Sequence, residues 1–277
     1  MFATSNLHPL AALAGPRFKS RLLRGRLALI GAALIAALVV CATASPWLAP
    51  QNPQKMSLEE ELRPPSAQHL LGQDKFGRDI FSRVIHGARV SLLVGTVTVL
   101  VSLSLGICLG CTAGYFGGVV DEIFLRVVDI FLAFPGILLA LSLMAVLGPS
   151  LSNVIIALCL VGWVSYARLA RGQVLSLKER DFVVAARAAG ASDRRIIFRH
   201  ILPNVLAPLT VEATFGMGSA IVAEAALSFL GLGVQPPTPS WGSMLNEGRQ
   251  FLLIAPHLTT FPGLAIMLVV LGFNFVG

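Results

Sequence analysis

The chain has 277 residues, of which 55% are hydrophobic and 13% are charged, and its mean hydropathy is +0.78. These values lie far outside the range of soluble globular domains and indicate an integral membrane protein. A net charge of +7 could indicate a nucleic-acid partner, but the basic residues cluster beside apolar stretches and form no soluble basic domain, so we expect no nucleic-acid binding.

Six apolar stretches are each long enough to cross a bilayer, since a membrane-spanning helix needs about 20 mainly apolar residues. The sequence therefore predicts an all-α membrane protein with six transmembrane helices. The stretches are residues 27–48, 90–113, 123–147, 151–170, 205–232 and 258–276. They divide the chain into an N-terminal segment at 1–26, a first span at 27–48, a connection at 49–89 and a five-helix core at 90–277, with polar loops at 173–204 and 233–257.

Positive charge beside the spans predicts the orientation of the chain, because Lys and Arg are enriched in cytoplasmic loops. Two basic groups, before the first stretch and around the loop after the fourth, lie on the same side of a six-span protein. We therefore expect these groups and the N-terminus to be cytoplasmic, and the 49–89 and 233–257 connections to be extracytoplasmic. The basic residues are Arg17, Lys19, Arg21, Arg24, Arg26, Arg168, Arg171, Lys178, Arg180, Arg187, Arg194, Arg195 and Arg199.

The first apolar stretch follows a basic segment and ends at Ala-Thr-Ala, residues 42–44, as a cleaved signal peptide would. Its apolar run, residues 27–44, is longer than the roughly 7 to 15 residues of a signal core. We therefore expect an uncleaved first span.

Glycines recur every four positions at the end of the second stretch. Such a stripe lets a second helix approach closely, which is a common way of packing helices in lipid. Packing within the protein explains the stripe without a substrate. The stripe consists of Gly106, Gly110, Gly114 and Gly118.

The four cysteines, Cys41, Cys108, Cys111 and Cys159, all lie in apolar stretches. The CxxC at 108–111 has no second Cys or His pair to complete a metal site, and a membrane helix is a poor place for redox chemistry. We expect buried packing residues and no metal.

The third stretch contains an ionisable pair and a proline. Asp129 lies three residues after Arg126 on the same helical face, so we expect the two to form an ion pair. Charged residues inside spans are costly, which makes Asp129 a functional candidate as well. Pro135 removes a helical hydrogen bond near the middle of the stretch and predicts a kink.

The most charged interruption of the apolar sequence is AARAAGASDRRIIFRHILPN, residues 185–204. With the residues before it, the pattern predicts two short helices, the first at 178–189. Gly190 suits the left-handed position that ends a helix, and Ser192 can cap the second helix with Asp193 in its first turn. The pattern places Phe182, Val183, Ala186 and Ala189 or Gly190 on one face of the first helix. The second helix would carry Ile196, Ile197, His200 and Ile201 up to Pro203, where a boundary or kink is expected.

Two interpretations of this loop are open. It could lie on the membrane with its arginines on anionic lipid. It could instead be a docking element whose small residues let a helix enter a cleft. A lipid-bound helix would carry bulky apolar residues, so docking is favoured. The small residues are Ala185, Ala186, Ala188, Ala189 and Gly190.

The fifth stretch holds Glu212 and Glu224 with no basic residue inside the span. Residues twelve apart lie about 120° apart around a helix, so they do not form one carboxylate pair. We expect each to need a partner on another helix or subunit, unless Glu224 lies near the outer interface.

The connection after it, GVQPPTPSWGSMLNEGRQ at residues 233–250, has three prolines and Trp241. It is interpreted either as a rigid surface that a partner binds or as a loop with Trp241 anchored among lipid headgroups.

The loop sequence resembles the cytoplasmic motif of ABC-type binding-protein-dependent permeases, in which Glu-Ala-Ala is followed by Gly and later by Leu-Pro. Ala185, Ala186, Gly190, Leu202 and Pro203 match, Asn204 follows, and Val184 stands where the consensus has Glu. Four further segments are similar to the second permease of dipeptide, oligopeptide, glutathione and nickel importers. They are LGQDKFGRDIFSRVIHGARVSLLVG, AGYFGG, RVVDIFLAFPGILLA and ALSFLGLGVQPPTPSWGSMLNEGRQ.

This resemblance implies a type I importer fold with cytoplasmic coupling helices in a bacterial inner membrane. The implied partners are a second, homologous permease that completes a heterodimer, two cytoplasmic ATPases that hold ATP and Mg²⁺, an extracytoplasmic solute-binding protein and membrane lipid. The loop would be the coupling element that inserts into an ATPase, so the implied contact set also includes Asp193, Arg194, Arg195 and His200. Relatives usually continue past the sixth span, so the end at Gly277 raises the expectation of a truncated tail.

The sequence contains no G-x-x-x-x-G-K-[ST], so we expect a non-enzymatic subunit that binds no cofactor of its own. Short peptides are the expected substrates, with glutathione or nickel complexes as alternatives. The rival class is an ion-coupled secondary transporter that uses Glu212, Glu224 and Asp129 as a relay. A third class is a scaffold that transports nothing.

Overall fold

The computed structural model describes residues 25–277. The basic residues Arg17, Lys19, Arg21 and Arg24, and almost all of the predicted N-terminal segment, lie outside the described residues. Ten α-helices follow one another in the described chain, with 3₁₀ turns at Leu58–Glu60 and Arg249–Phe251 and a π-helical turn at Ile197–Ile201. The α-helices are α1 Arg26–Leu48, α2 Ile80–Phe116, α3 Gly118–Leu132, α4 Gly136–Leu147, α5 Leu151–Leu177, α6 Asp181–Ala188, α7 Asp193–Ile196, α8 Leu202–Phe229, α9 Trp241–Gly248 and α10 His257–Val276.

Five helices in the described range are long and apolar enough to cross a membrane: α1, α2, α5, the continuous helix Asp193–Phe229 that contains α7 and α8, and α10. The sixth predicted span is a broken pair, α3 and α4, bent by 81°. Pro135 directly precedes α4, where its missing N–H removes no helical hydrogen bond. The six-span prediction is confirmed, and the predicted kink is a sharp break.

Helix α2 begins at Ile80, earlier than the predicted start of the second span at residue 90. Asp79 caps the helix, because its carboxylate accepts hydrogen bonds from the Ser82 N–H and hydroxyl at 2.8 and 2.6 Å. The first turns contain the polar residues Arg83 and His86, so this part of the helix does not belong to the apolar stretch from which the span was predicted. The loop part of the predicted connection is therefore residues 49–79, called the 49–79 segment below.

The most extensive helix contact joins α2 to α5. Side chains at Gly106 or Gly110 would overlap the backbone of Ala167, and one at Gly114 would lie 3.0 Å from the carbonyl oxygen of Arg171. The predicted glycine stripe thus brings two backbones into direct contact. Gly118 does not belong to the stripe, because α2 ends at Phe116 and Gly118 begins α3.

Helix α9 packs between α8, α10 and the start of α2. Its first residue, Trp241, is 2% exposed and donates its indole N–H to the carbonyl oxygen of Val84 at 2.9 Å. Trp241 is therefore neither a headgroup anchor nor an exposed part of a partner-binding surface, although Pro236 and Pro237 of the same connection are exposed. Since α9 and the 49–79 segment contact the first turns of α2, they lie at the end of α2 opposite to Phe116.

Candidate functional site

The loop between α5 and α8, residues 178–204, is called the arginine-rich loop. It forms two short helices around a turn at Gly190, as predicted, although the first begins at Asp181. Gly190 has a φ of +78°, a left-handed conformation that glycine adopts readily. Its N–H bonds to the Arg187 carbonyl at 3.0 Å, and the Ala191 N–H bonds to the Ala186 carbonyl at 3.1 Å. This Schellman arrangement fixes the direction of the next helix.

Apolar side chains anchor the arginine-rich loop to the helix bundle. Val183 of α6, Ile196 of α7 and Ile201 of the π-helical turn are each 0% exposed and pack in one cluster with residues of α5 and α8. Fully burying a side chain of this size stabilises the fold by about 1.5–3 kcal/mol. Of the face predicted for the first helix, only Val183 is buried, whereas Phe182 is 44% exposed and Ala189 and Gly190 are also exposed.

Polar contacts tie the same loop to the end of α2. The Tyr115 hydroxyl donates to the carboxylate of Asp193 at 2.5 Å, and Lys178 Nζ donates to the Gly114 carbonyl at 3.2 Å. The Arg187 guanidinium lies 6.0 Å from the centre of the Tyr115 ring. Ser192 occupies the N-cap of α7 as predicted, but its side chain makes no capping hydrogen bond.

The outward side of the loop carries small side chains. Ala185, Ala189 and Gly190 are exposed and Ala186 is half-buried. No atom lies within 4 Å of the place where Gly190 would carry a Cβ, so the space in front of it is open. Val184, at the position of the motif's Glu, is 50% exposed.

Exposed arginines flank this small-residue surface. Arg194 and Arg195 line a shallow hollow of about 360 Å³ together with Ser192 and Phe198. Phe198 is 63% exposed. The exposed arginines of the loop are thus available to a partner, whereas its aliphatic anchors are not.

The end of the loop passes directly into α8. His200, Leu202 and Pro203 are half-buried, and the amide of Asn204 donates to the His200 carbonyl at 2.6 Å. The helix does not end at Pro203. A π-helical turn interrupts the regular hydrogen-bond pattern immediately before this proline, which lacks an N–H. The predicted boundary is therefore a change of helix type.

The predicted ion pair in the third span is wrong. Arg126 Nη2 contacts Glu122 Oε1 at 2.6 Å, and Asp129 is exposed without a hydrogen-bonding partner for its carboxylate in the described chain. Asp121 makes the ionic contact between α3 and α5, since its two carboxylate oxygens accept hydrogen bonds from Arg171 at 2.5 and 2.6 Å.

The two glutamates of α8 have different surroundings. Glu224 is 0% exposed, and its Oε1 accepts a hydrogen bond from the Ser228 hydroxyl at 2.6 Å. Its partner is thus on its own helix, contrary to the prediction. Glu212 is half-buried and lines a cavity of about 270 Å³ between α2, α4, α5 and α8. The three acidic candidates, including Asp129, are not brought together, which removes the geometric basis of the predicted relay.

A buried ionic network at the other end of α2 was missed by the sequence interpretation. Arg78 contacts Asp74 at 2.6 Å and Glu247 of α9 at 2.5 Å. Arg83 lies 3.3 Å from the same glutamate and 3.5 Å from the same aspartate. The network joins the 49–79 segment to α9. The only sequence signal was the charged motif GQDKFGRDIFSR, which does not identify the partner of each charge.

No group of His, Cys, Asp and Glu in residues 25–277 is arranged to hold a metal ion. All four cysteines are free thiols. Cys111 and Cys159 are buried as expected, but Cys108 is exposed and Cys41 is half-buried.

Two family models match the sequence. One, described as "Binding-protein-dependent transport system inner membrane component", matches residues 106–277, which include the arginine-rich loop and the cavity residues of α4, α5 and α8. The chain belongs to this family. The permease also matches the model described as "N-terminal TM domain of oligopeptide transport permease C" over residues 17–65. It is a permease subunit of an ABC importer, as the motif of the loop suggested.

Curated relatives resemble the permease over most of its length. The dipeptide transport system permease protein DppC of Alkalihalophilus pseudofirmus is 48% identical over 257 residues, which are 93% of this chain and 84% of the relative. The glutathione transport system permease protein GsiD of Escherichia coli is 46% identical over 261 residues, which are 94% of this chain and 86% of the relative.

A solved structure resembles the permease in fold. A chain of the MetNI methionine ABC transporter in an inward-facing conformation superposes with a TM-score of 0.53 at 21% identity. The match covers 69% of this chain and 91% of that chain. The fold is that of a type I ABC importer permease, as predicted.

Proposed function

We propose that the permease forms the membrane pathway of an ATP-driven importer together with a second, homologous permease. Its further partners are two cytoplasmic ATPases, an extracytoplasmic solute-binding protein and membrane lipid, with no role for nucleic acid. ATP and Mg²⁺ bind to the ATPases and no cofactor binds to this chain, in keeping with its lack of a P-loop motif. The N-terminus and the arginine-rich loop face the cytoplasm.

The construction of the arginine-rich loop supports this proposal most strongly. Val183 and Ile196 hold the loop on the bundle, while the small surface around Gly190 faces open space. The side chains around Gly190 are small enough to enter a protein cleft, and Phe182 and Phe198 are the bulky apolar side chains that the loop exposes elsewhere. The coupling residues are therefore Ala185, Ala186, Gly190, Asp193, Arg194, Arg195, His200, Leu202, Pro203 and Asn204.

The path of α8 connects this loop to the cavity. A single helix runs from Asp193 to Phe229, and Glu212 and Gly216 of that helix line the cavity wall. When an ATPase moves the loop, the displacement is carried along this helix to the cavity. Because the buried side chains of Val183, Ile196 and Ile201 pack closely in one cluster with α5, we expect α5 to move with the arginine-rich loop.

Short peptides are the proposed substrates, and a dipeptide permease is among the relatives. Glutathione, itself a small peptide, is the alternative that a second relative supports. Import of nickel complexes stays a prediction from the motifs alone.

Uptake by the reconstituted importer tests the mechanism. The permease, its partner permease, the ATPases and the binding protein are placed in sealed vesicles with a labelled dipeptide. We expect uptake to require ATP and to survive ionophores that collapse ion gradients. Uptake that needs an ion gradient and ignores ATP would instead establish the secondary transporter.

Orientation has its own test. A cysteine at Ala189, in a chain whose native cysteines are replaced, should react with an impermeant thiol reagent only from the cytoplasmic side. Labelling of intact spheroplasts from outside would reverse the proposed topology.

A further inference from the structure

Among the residues that line the cavity between α2, α4, α5 and α8, Glu212 is the single ionisable acid or base apart from the Tyr166 phenol. The remaining lining consists of apolar side chains, glycines and the hydroxyls of serine and threonine. A carboxylate in an apolar, membrane-embedded wall is costly unless a positive charge or donors accompany it. No Lys, Arg or His of the described chain lines this cavity.

The sequence of α8 leaves room in front of this carboxylate. Glu212, Gly216, Ser219 and Ala223 are spaced by four, three and four residues, so they share one helical face, and all four line the cavity. Gly216, Ser219 and Ala223 are all small, and Phe215 is the one large side chain that α8 contributes to the cavity lining after Glu212. A side chain at Gly216 would overlap the Tyr166 hydroxyl, which therefore rests directly on the α8 backbone one turn from Glu212.

Two hydroxyls on the opposite wall lack partners. Thr98 is 5% exposed and Ser102 is 1% exposed, both line the cavity, and neither hydroxyl oxygen has a hydrogen-bond partner in the described structure. Leaving a buried hydroxyl unsatisfied costs about 1–3 kcal/mol. On the same helix, Ser104 and Thr112 satisfy theirs by donating to the carbonyls four residues earlier, at 2.7 and 2.6 Å, whereas the buried Ser91, outside the cavity, is also without a partner.

The second glutamate of α8 lies outside the cavity and has one carboxylate oxygen paired. Glu224 is fully buried, and its Oε1 accepts a hydrogen bond from Ser228 while its Oε2 has no partner in the described structure. Glu212 has no hydrogen bond to any described residue although it lies beside several hydroxyls. The cavity thus combines an unpaired negative charge with unsatisfied hydroxyls, which together match a small ligand that carries a positive amine and further polar atoms.

We infer that Glu212 binds the ammonium group of the transported substrate, with the hydroxyls of Thr98 and Ser102 bonding to its neighbouring polar atoms. The ligand class is a primary amine, such as the N-terminal amine of a short peptide. The choice of a peptide rests on the proposed function, whereas the preference for a cation rests on the cavity alone.

Thiol chemistry tests the cation preference without a binding protein or ATP. In the assembled importer, with the four native cysteines of this chain replaced, Ser219→Cys places a thiol on the cavity face of α8. We expect methanethiosulfonate ethylammonium to modify it faster than the anionic ethylsulfonate, after division by their rates with 2-mercaptoethanol. A tenfold preference corresponds to about 1.4 kcal/mol of interaction with the carboxylate.

Glu212→Gln keeps the shape and removes the charge, so it should abolish this preference. The matched control is Glu122→Gln, which removes a carboxylate from an exposed ion pair on α3 and should leave the preference unchanged. An unaltered preference in Glu212→Gln would overturn the inference.

Uptake then tests the role of the site in transport. Glu212→Gln should lower ATP-driven uptake of alanyl-alanine about tenfold, the loss of one charge-assisted contact. Normal uptake by this variant would overturn substrate binding at Glu212. If the unaltered importer carries no dipeptide but keeps the cation preference, the proposed peptide substrate fails and the amine site stands. Proton-driven uptake that disappears in Glu212→Gln would make this residue a proton carrier and refute the inference.

Discussion

The two polar regions at the ends of α2 use charge in opposite ways. In the 49–79 segment and its neighbours, the side chains of Arg78 and Arg83 are each 2% exposed and face Asp74 and Glu247. In the arginine-rich loop the arginines face outward and aliphatic anchors hold the structure. A buried ion pair ties its region to one geometry, because separating its charges is very costly. Exposed charges contribute little to stability and remain available for binding.

The buried network should be the more fragile of the two regions. Glu247→Ala leaves Arg78 and Arg83 without one of their two carboxylates. Removing one member of a buried pair destabilises a protein by about 3–5 kcal/mol. We expect a large drop in the thermal unfolding midpoint of the purified permease, with a smaller drop for Glu247→Gln, which keeps an acceptor. Glu122→Ala, in an exposed pair, is the control and should change the midpoint little. Equal midpoints for Glu247→Ala and the control would contradict the comparison.

At the turn of the arginine-rich loop, Gly190→Val forces a β-branched residue into a left-handed conformation. The strain is about 1–2 kcal/mol, and the added side chain also fills the space reserved for a partner. We expect folded permease in which ATP hydrolysis continues but uptake is lost. Gly190→Asn is the control, since asparagine tolerates this conformation and should retain most uptake. Coupled transport at the normal rate in Gly190→Val would count against docking.

Charge reversal on the loop should affect binding and leave stability unchanged. Arg194→Glu combined with Arg195→Glu alters exposed side chains only, so the unfolding midpoint should stay the same. Association with the ATPases in pull-down experiments should weaken. Intact association together with weaker binding to anionic vesicles would favour the membrane-surface interpretation.

The smallest effect is expected at Val184. This residue is 50% exposed, so Val184→Glu should leave the unfolding midpoint unchanged while restoring the carboxylate of the family motif. We expect tighter association with the ATPases, measured by titration of the purified subunits. Weaker association would show that the ATPases of this importer are matched to valine.

Local chemistry explains which features could be predicted. The six spans follow from apolar length, and the turn at Gly190 follows from helix-ending geometry that glycine favours. The partner of Arg126 could have been identified as well, because a glutamate four residues before a basic residue is the better-oriented helical pair. That rule selects Glu122 over Asp129.

Other features depend on contacts between distant parts of the chain. Arg78 and Glu247 are 169 residues apart in sequence, and nothing local marks them as partners. Trp241 followed three prolines in an apparently exposed loop, and only the packing of α9 against α2 buries it. The cavity of Glu212 likewise exists only where four helices meet, so the sequence revealed the charge and not its surroundings.

The glycine stripe between α2 and α5 limits where the importer can change its conformation. Two packed surfaces can alternate between two arrangements when their side chains exchange positions. Where one backbone packs directly on another, no side chains lie between them to exchange. We therefore expect the contacts at Gly106, Gly110 and Gly114 to make α2 and α5 move together as one rigid unit. We expect bending instead at the 81° break between α3 and α4, where three residues connect two short helices.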